Sequence, residues 1–217
     1  MASDLDKKLE PPEKTKKSGL FIVFEGQDGS GQSTQVRMLN EYLAKNGYDV
    51  LPTKEPTTGP IGKIIRSALQ HELSFGAHAL QLLFCADRAY HLDDCIEPAL
   101  KEGKVVITDR YYLSTLAFGM ASGADYDLLH KINMKFRTPD VVFLIDVNPS
   151  VAVERIGKRG EKYELFEVEQ TLSKVRKAYL EVAKAFNTVV VNGESSSEEV
   201  HKRIVAALQP YLDALKE

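Results

Sequence analysis

The stretch Leu20-Phe21-Ile22-Val23-Phe24-Glu25-Gly26-Gln27-Asp28-Gly29-Ser30-Gly31-Gln32-Ser33-Thr34 decides how the rest of the chain is read. Its first five residues form a continuous apolar run, β-branched and aromatic, closed by a glycine. A strand buried on both faces of a parallel sheet reads this way. After Gly31 the residues Val36, Leu39, Tyr42 and Leu43 recur at helical spacing and stop at Asn46-Gly47, a natural C-terminal cap. Strand, glycine-rich turn and helix, with G-x-x-x-x-G-x-[ST] running from Gly26 to Ser33, is the context of a phosphate loop. The glycines let backbone N–H groups turn inward around a phosphate, and the helix N-terminus adds its dipole. Ser33 is then placed to offer its hydroxyl to a Mg2+ ion bridging phosphates. Gln32 stands where the motif has lysine, so a neutral amide replaces a point charge.

Outward from this unit the pattern repeats. Short apolar strands are expected at 49–51, 105–108, 141–145 and 188–191. Helical stretches separate them: one opening at Pro60, then 77–100 broken near Pro98, 113–121, 126–135, 149–156, 167–186 and 197–215. The last opens on Ser-Ser-Glu-Glu, a capping-box-like start. Five unbroken apolar strands alternating with helices give an α/β fold, a doubly wound five-stranded parallel sheet with helices on both faces. Residues 20–217 are expected to form one domain. Residues 1–19 are expected to be a flexible tail, being charged and interrupted by Pro11-Pro12. The charge-dense stretch Gly157-Lys158-Arg159-Gly160-Glu161-Lys162, flanked by glycines, reads as a lid near 157–166 or a solvated loop.

Composition excludes other classes. With 28 Lys+Arg against 31 Asp+Glu the formal charge is -3, so the chain does not advertise nucleic acid as a partner and must hold any anion locally. No apolar run approaches the ~20 residues of a membrane helix, and the amino terminus does not read as a signal peptide. Cys85 and Cys95, with no metal-ligand spacing, read as reduced thiols, which suits the cytoplasm.

In an open α/β sheet ligands sit at the carboxyl ends of the strands. There the chain carries Asp109-Arg110-Tyr111, an acid able to hold Mg2+ beside an arginine able to clamp a phosphate, and Thr53-Lys54-Glu55-Pro56, a cation beside an acid. Phe84 and Arg88, four apart, share a helix face, where an aromatic could stack on a base and a guanidinium could read its edge. A core phenylalanine with a surface arginine is the plainer reading of that pair.

Taken in order, the phosphate loop, Thr-Lys-Glu-Pro, Leu-Leu-Phe-Cys-Ala-Asp-Arg, Asp-Arg-Tyr-Tyr-Leu-Ser-Thr-Leu-Ala-Phe and Pro-Asp-Val-Val-Phe-Leu-Ile-Asp-Val resemble the thymidylate kinase family from about Phe21 to Leu208. The resemblance implies transfer of the γ-phosphoryl of ATP to dTMP with Mg2+, in a homodimer. It assigns Gly26, Gln27, Asp28, Gly29, Ser30, Gly31, Gln32, Ser33 and Thr34 to ATP, and Ser33 and Asp109 to the metal. Asp28 would bond the 3′-hydroxyl of dTMP, Phe84 would stack on thymine and Arg88 would meet its polar edge. Lys54 would take the place of a family arginine near the acceptor phosphate, Arg110 would serve phosphate, and Tyr111 would exclude a ribose 2′-hydroxyl. Ser114 and Phe118 would line the nucleoside pocket, and Arg159 or Lys158 would supply the transition-state cation from the lid. Because Gln32 departs from the pattern, a catalytically weakened or inactive nucleotide-binding relative, or a kinase of another (deoxy)nucleoside monophosphate, stays open beside the working enzyme.

Overall fold

A computed structural model describes residues 19–158 and 165–216 of the chain. Of the expected tail at 1–19 all but Gly19, and most of the expected lid near 157–166, Arg159 included, lie outside the described residues. The elements run β1 (Leu20–Glu25), α1 (Gln32–Lys45), β2 (Val50–Lys54), α2 (Pro60–Leu69), α3 (Ala77–His91), a π turn (Leu92–Ile96), α4 (Glu97–Lys101) and β3 (Val105–Asp109). They continue with α5 (Tyr112–Ser122), α6 (Tyr126–Asn133), β4 (Val141–Asp146), α7 (Pro149–Gly157), α8 (Leu165–Val182), β5 (Thr188–Asn192) and α9 (Ser197–Lys216). The long helix expected at 77–100 is interrupted ahead of Pro98, at the π turn, because proline supplies no N–H to continue the ladder and crowds the preceding turn. At α9 the Ser196 hydroxyl accepts from the Glu199 N–H at 3.3 Å, half of the expected capping box.

The five strands are all parallel in the order β2-β3-β1-β4-β5, so the sheet is doubly wound about a central β1. All six residues of β1 are buried. Alternation by two sends Phe21 and Val23 into a core under α3, α5 and α8, while Leu20, Ile22 and Phe24 enter a second core under α1 and α9. Each such side chain contributes about 1.5–3 kcal/mol by leaving water. Register places Lys54 beside Asp109, and Asp109 beside Phe24, at the carboxyl edge. The two charged motifs expected at strand ends therefore share one rim with the end of β1.

Candidate functional site

The loop leaving β1 is shaped by backbone more than by side chains. Gly29 (φ 78°) and Gly31 (φ 93°) hold left-handed conformations, and a Cβ on Gly29 would stand 2.5 Å from the Ala152 carbonyl oxygen. The Ser30 N–H donates to the Gln27 carbonyl at 3.1 Å, and the Gln27 amide donates to the Val147 carbonyl at 3.1 Å, tying the loop to the end of β4. Below it, Gln32 Nε2 donates to one oxygen of Asp109 at 2.7 Å and Ser33 Oγ to the other at 2.5 Å. The Gln32 amide is thus turned onto a carboxylate. Ser30 Oγ, Gln27 Oε1 and Gln32 Oε1 are buried without a hydrogen-bond partner among the described residues, as expected of a loop that awaits a polar ligand.

A cavity of about 760 Å³ lies over this loop, lined among others by Gly29, Ser33, Lys54, Asp109 and Arg110. A second, about 160 Å³, is lined by Gln81 and Phe84 of α3, Ser114, Thr115 and Phe118 of α5, and Pro56. Asp28, Arg110 and Phe118 line both. Arg110 sits at φ 75°, a left-handed backbone rare outside glycine and of order 1 kcal/mol in cost, with its N–H bonded to the Phe24 carbonyl at 2.8 Å. Its guanidinium donates to Asp28 at 2.7 Å, to the Gly26 carbonyl at 3.1 Å, and to Ser114 Oγ and Tyr179 OH at 3.2 Å each. Burial works against its charge, but Tyr179, Asp28, Asp109 and Glu25 outweigh that and its pKa is raised. It remains a cation.

Behind Arg110 lies Glu25, which accepts from the backbone N–H groups of Tyr111 (3.0 Å) and Ser114 (3.1 Å) and from Ser114 Oγ (2.5 Å) and Tyr179 OH (3.2 Å). Complete burial pushes its carboxyl up to about 7, against the lowering pull of the Ser114 bonds and of Arg110 and Arg88. Sequence reading missed Glu25, because an acid ending an apolar strand looks like any strand terminus until its donors arrive from residues 86 to 154 positions away.

Two expected residues stand elsewhere than anticipated. Arg88 is 1% exposed and does not line either cavity. Its guanidinium donates to Glu55 at 2.6 Å, to Asn133 at 2.5 Å and twice to Thr115 Oγ1 at 3.1 Å. Burial opposes its charge, but Glu55 and the other neighbours outweigh it and its pKa is raised. Tyr111 is fully buried in the core, its ring at 5.2 Å from Phe21 and its hydroxyl donating to the Arg137 carbonyl at 3.0 Å, away from the cavities. Burial pushes its hydroxyl well above its ordinary pKa. Phe84 does line the smaller cavity, so the pair expected to act together is divided by depth along α3.

Another feature missed in the sequence is a groove of about 460 Å³ flanking the loop, lined by Thr34, Gln35, Arg155, Lys158 and the β5–α9 residues Ser195 to Ser197. Arg155 fixes it, donating to the Ser30 carbonyl at 3.1 Å and the Gly193 carbonyl at 2.9 Å. No group of three or more metal-binding side chains occurs among the described residues. The oxygen donors Ser33 and Asp109 alone suit a hard cation that keeps water and phosphate ligands, which is how Mg2+ is held.

Comparison with known proteins identifies the family. The family described as Thymidylate kinase matches residues 24–204. A probable thymidylate kinase of Pyrococcus horikoshii is 43% identical over 199 residues, covering 88% of this chain and 96% of the relative. One from Thermococcus kodakarensis is 41% identical over 202 residues, covering 89% and 98%. A thymidylate kinase of Halothermothrix orenii is 38% identical over 196 residues, covering 86% and 94%.

Proposed function

The chain belongs to the thymidylate kinase family, and on that premise we propose that it transfers the γ-phosphoryl group of ATP to dTMP, giving dTDP and ADP. The observation that carries the reading is the meeting of two cavities at Asp28 and Arg110, one over a phosphate loop and one closed around an aromatic side chain. Phosphoryl transfer asks for positioning and charge stabilisation more than for covalent chemistry. A loop, an arginine and a stacked base held in one crevice supply the positioning.

In this reading the inward N–H groups of the loop hold the ATP phosphates, and the groove beside Arg155 takes the nucleoside end. Phe84 stacks on the acceptor base, Ser114 and Phe118 enclose the sugar, and Asp28 accepts from its 3′-hydroxyl. Arg110, fixed by Asp28 and the Gly26 carbonyl, orients the phosphate that attacks, with Lys54 at the same rim. Ser33 and Asp109 hold Mg2+, which when bound neutralises charge on the phosphates. The buried Arg88 acts on the base through Thr115. Tyr111 bears on the sugar only through the packing it gives the turn after β3. Lys158, which lines the groove, and Arg159 in the lid near 157–166 are our candidates for the cation that Gln32 does not provide. The reading takes residues 20–217 as one working unit.

Ile64, Leu69, Leu73, Phe75, Leu82 and Tyr90 are exposed on α2, α3 and the turn between them, which pack together. We assign that face to a homodimer, since an apolar surface of this kind is costly in water. Two free cysteines suit the cytoplasm, and no helix among the described residues is long and apolar enough to cross a membrane.

ADP release with Mg-ATP and dTMP, dUMP, dCMP or dGMP, on the native chain and on Gln32→Lys, tests the proposal. Turnover should be confined to dTMP and, if tolerated, dUMP. Lysine should add well under the roughly 10²–10³-fold that one transition-state donor is worth, because the charge is supplied elsewhere. A silent native chain rescued by lysine overturns the working enzyme in favour of the inactivated relative.

A further inference from the structure

Burying an acid without a cation in contact is costly, so Glu25 at the end of β1 asks for a reason. It is fully buried, and among the described residues its hydrogen bonds come from neutral groups alone. Oε1 accepts the N–H groups of Tyr111 and Ser114 where α5 begins, a helix that has no side-chain cap from its own N-terminal residue. The carboxyl stands in for that cap. Oε2 faces the Ser114 hydroxyl at 2.5 Å and the Tyr179 hydroxyl at 3.2 Å, and the two hydroxyls are 2.7 Å from each other. These three oxygens close a ring. Arg110 Nη1 donates to its two hydroxyl members at 3.2 Å each, and Arg110 lines both cavities.

The ring can hold two protons or three. With Glu25 ionised, both hydroxyls donate to Oε2. With Glu25 protonated, Oε2 donates to Ser114, Ser114 to Tyr179 and Tyr179 back to Oε2, and each hydroxyl oxygen keeps a lone pair for Arg110. The third proton therefore enters without removing an acceptor from the arginine. What changes is charge. An ionised Glu25 competes with an arriving anion for the field of Arg110, and an anion at Arg110 in turn disfavours a second negative charge behind it. Burial already pushes the carboxyl up to about 7, so its proton exchanges near neutrality. Arg110 from the β3–α5 turn, Arg88 from α3, Tyr112 from α5 and Tyr179 from α8 face it, and each has a raised pKa that keeps it from titrating there.

We propose that Glu25 is a positioning residue for the acceptor phosphate, holding Arg110 through Ser114 and Tyr179 and taking up a proton from solvent at Oε2 when a phosphate dianion binds. The assignment rests on the dTMP kinase reading, and deepens it by making acceptor binding a proton-coupled step.

Calorimetric titration with dTMP at pH 8, in two buffers of unlike ionisation enthalpy, counts that proton. The second ionisation of the nucleotide phosphate, near pH 6, is complete at this pH, so the ligand releases none. A rise of one pKa unit at Glu25 on binding corresponds to uptake of roughly 0.4 proton per dTMP, and a larger rise approaches one. The dTMP Kd of the native protein should therefore rise as pH rises above 7, since the free carboxyl ionises while the bound one keeps its proton. Glu25→Gln should abolish the uptake and flatten that pH dependence. Tyr179→Phe keeps the carboxyl and its two N–H bonds but opens the ring, leaving a third proton without an acceptor. Its uptake should fall too, and its dTMP Kd should rise roughly 2- to 10-fold as Arg110 loses a partner. No uptake by the native protein, or equal uptake by Glu25→Gln, overturns the assignment and leaves Glu25 a structural cap. If Glu25→Gln does not fold, Tyr179→Phe decides, and undiminished uptake there overturns it. If the native chain binds dTMP without turnover, the kinase reading fails on its own and the proton count still decides the Glu25 assignment. If it binds no dTMP, inorganic phosphate replaces it as the probe, with the difference in uptake between the native protein and Glu25→Gln as the deciding quantity.

Discussion

The two cavities that meet at Asp28 and Arg110 are built in opposite ways. Over the phosphate loop the working groups are backbone N–H groups and side chains at the surface: Ser33 and Lys54 are exposed. Around the smaller cavity buried charge backs the polar side chains of α5 and the turn before it, with Arg88 on Glu55 and Thr115 on one side and Glu25 beneath Ser114 and Arg110 on the other. The difference predicts unequal tolerance of substitution on the two sides. A site made of main-chain donors keeps its shape when one side chain changes, whereas a buried ionic network fails when any partner is removed.

The most severe way to break that contrast is Arg88→Ala, which leaves Glu55 buried without its guanidinium partner. A loss of roughly 3–5 kcal/mol in unfolding free energy is expected, measured by denaturant titration. A fall in dTMP affinity at full stability would instead mean that Arg88 faces the base. Next in size is Glu25. Its folded pKa of about 7 lies above the ordinary 4.5, so the folded protein holds the extra proton between those values. Stability contributed by the protonated form is complete below about pH 4.5 and is lost as pH rises toward 7, about 3 kcal/mol in all. Glu25→Gln should flatten that slope, and a pH–stability profile identical to the native one would count against the assignment. Arg110, Arg88, Tyr179 and Tyr112 face the carboxyl, and none of them titrates in that window.

The smallest effect sharpens the loop side of the comparison. Gly29→Ala forces a Cβ against the Ala152 carbonyl at a left-handed φ, costing roughly 1–3 kcal/mol. Because the strain falls on the loop, it should appear mainly as a raised KM for ATP, with the KM for dTMP little changed. Equal losses for both substrates would show that the two cavities are not independently built.

What the sequence determined by itself was local or periodic. Strand β1 was legible because burial on both faces demands an unbroken apolar run, and the phosphate loop because left-handed turns demand glycine at 29 and 31. Asp109 and Lys54 were expected together at the carboxyl ends of their strands, and the register pairs them there. Tertiary structure decided what periodicity leaves free. Gln81, Phe84 and Arg88 share one stripe of α3, yet at 1.5 Å per residue the first and last stand roughly 10 Å apart along the axis. That separation leaves Gln81 and Phe84 at the cavity and buries Arg88 against Glu55, Thr115 and Asn133, which come from three other parts of the chain. Tyr111 followed Arg110 in sequence but was turned into the core, since the left-handed Arg110 and the Glu25 carboxylate fix how α5 begins. Spacing specifies which residues share a face, and only the packing of other elements against that face settles which of them meets the ligand.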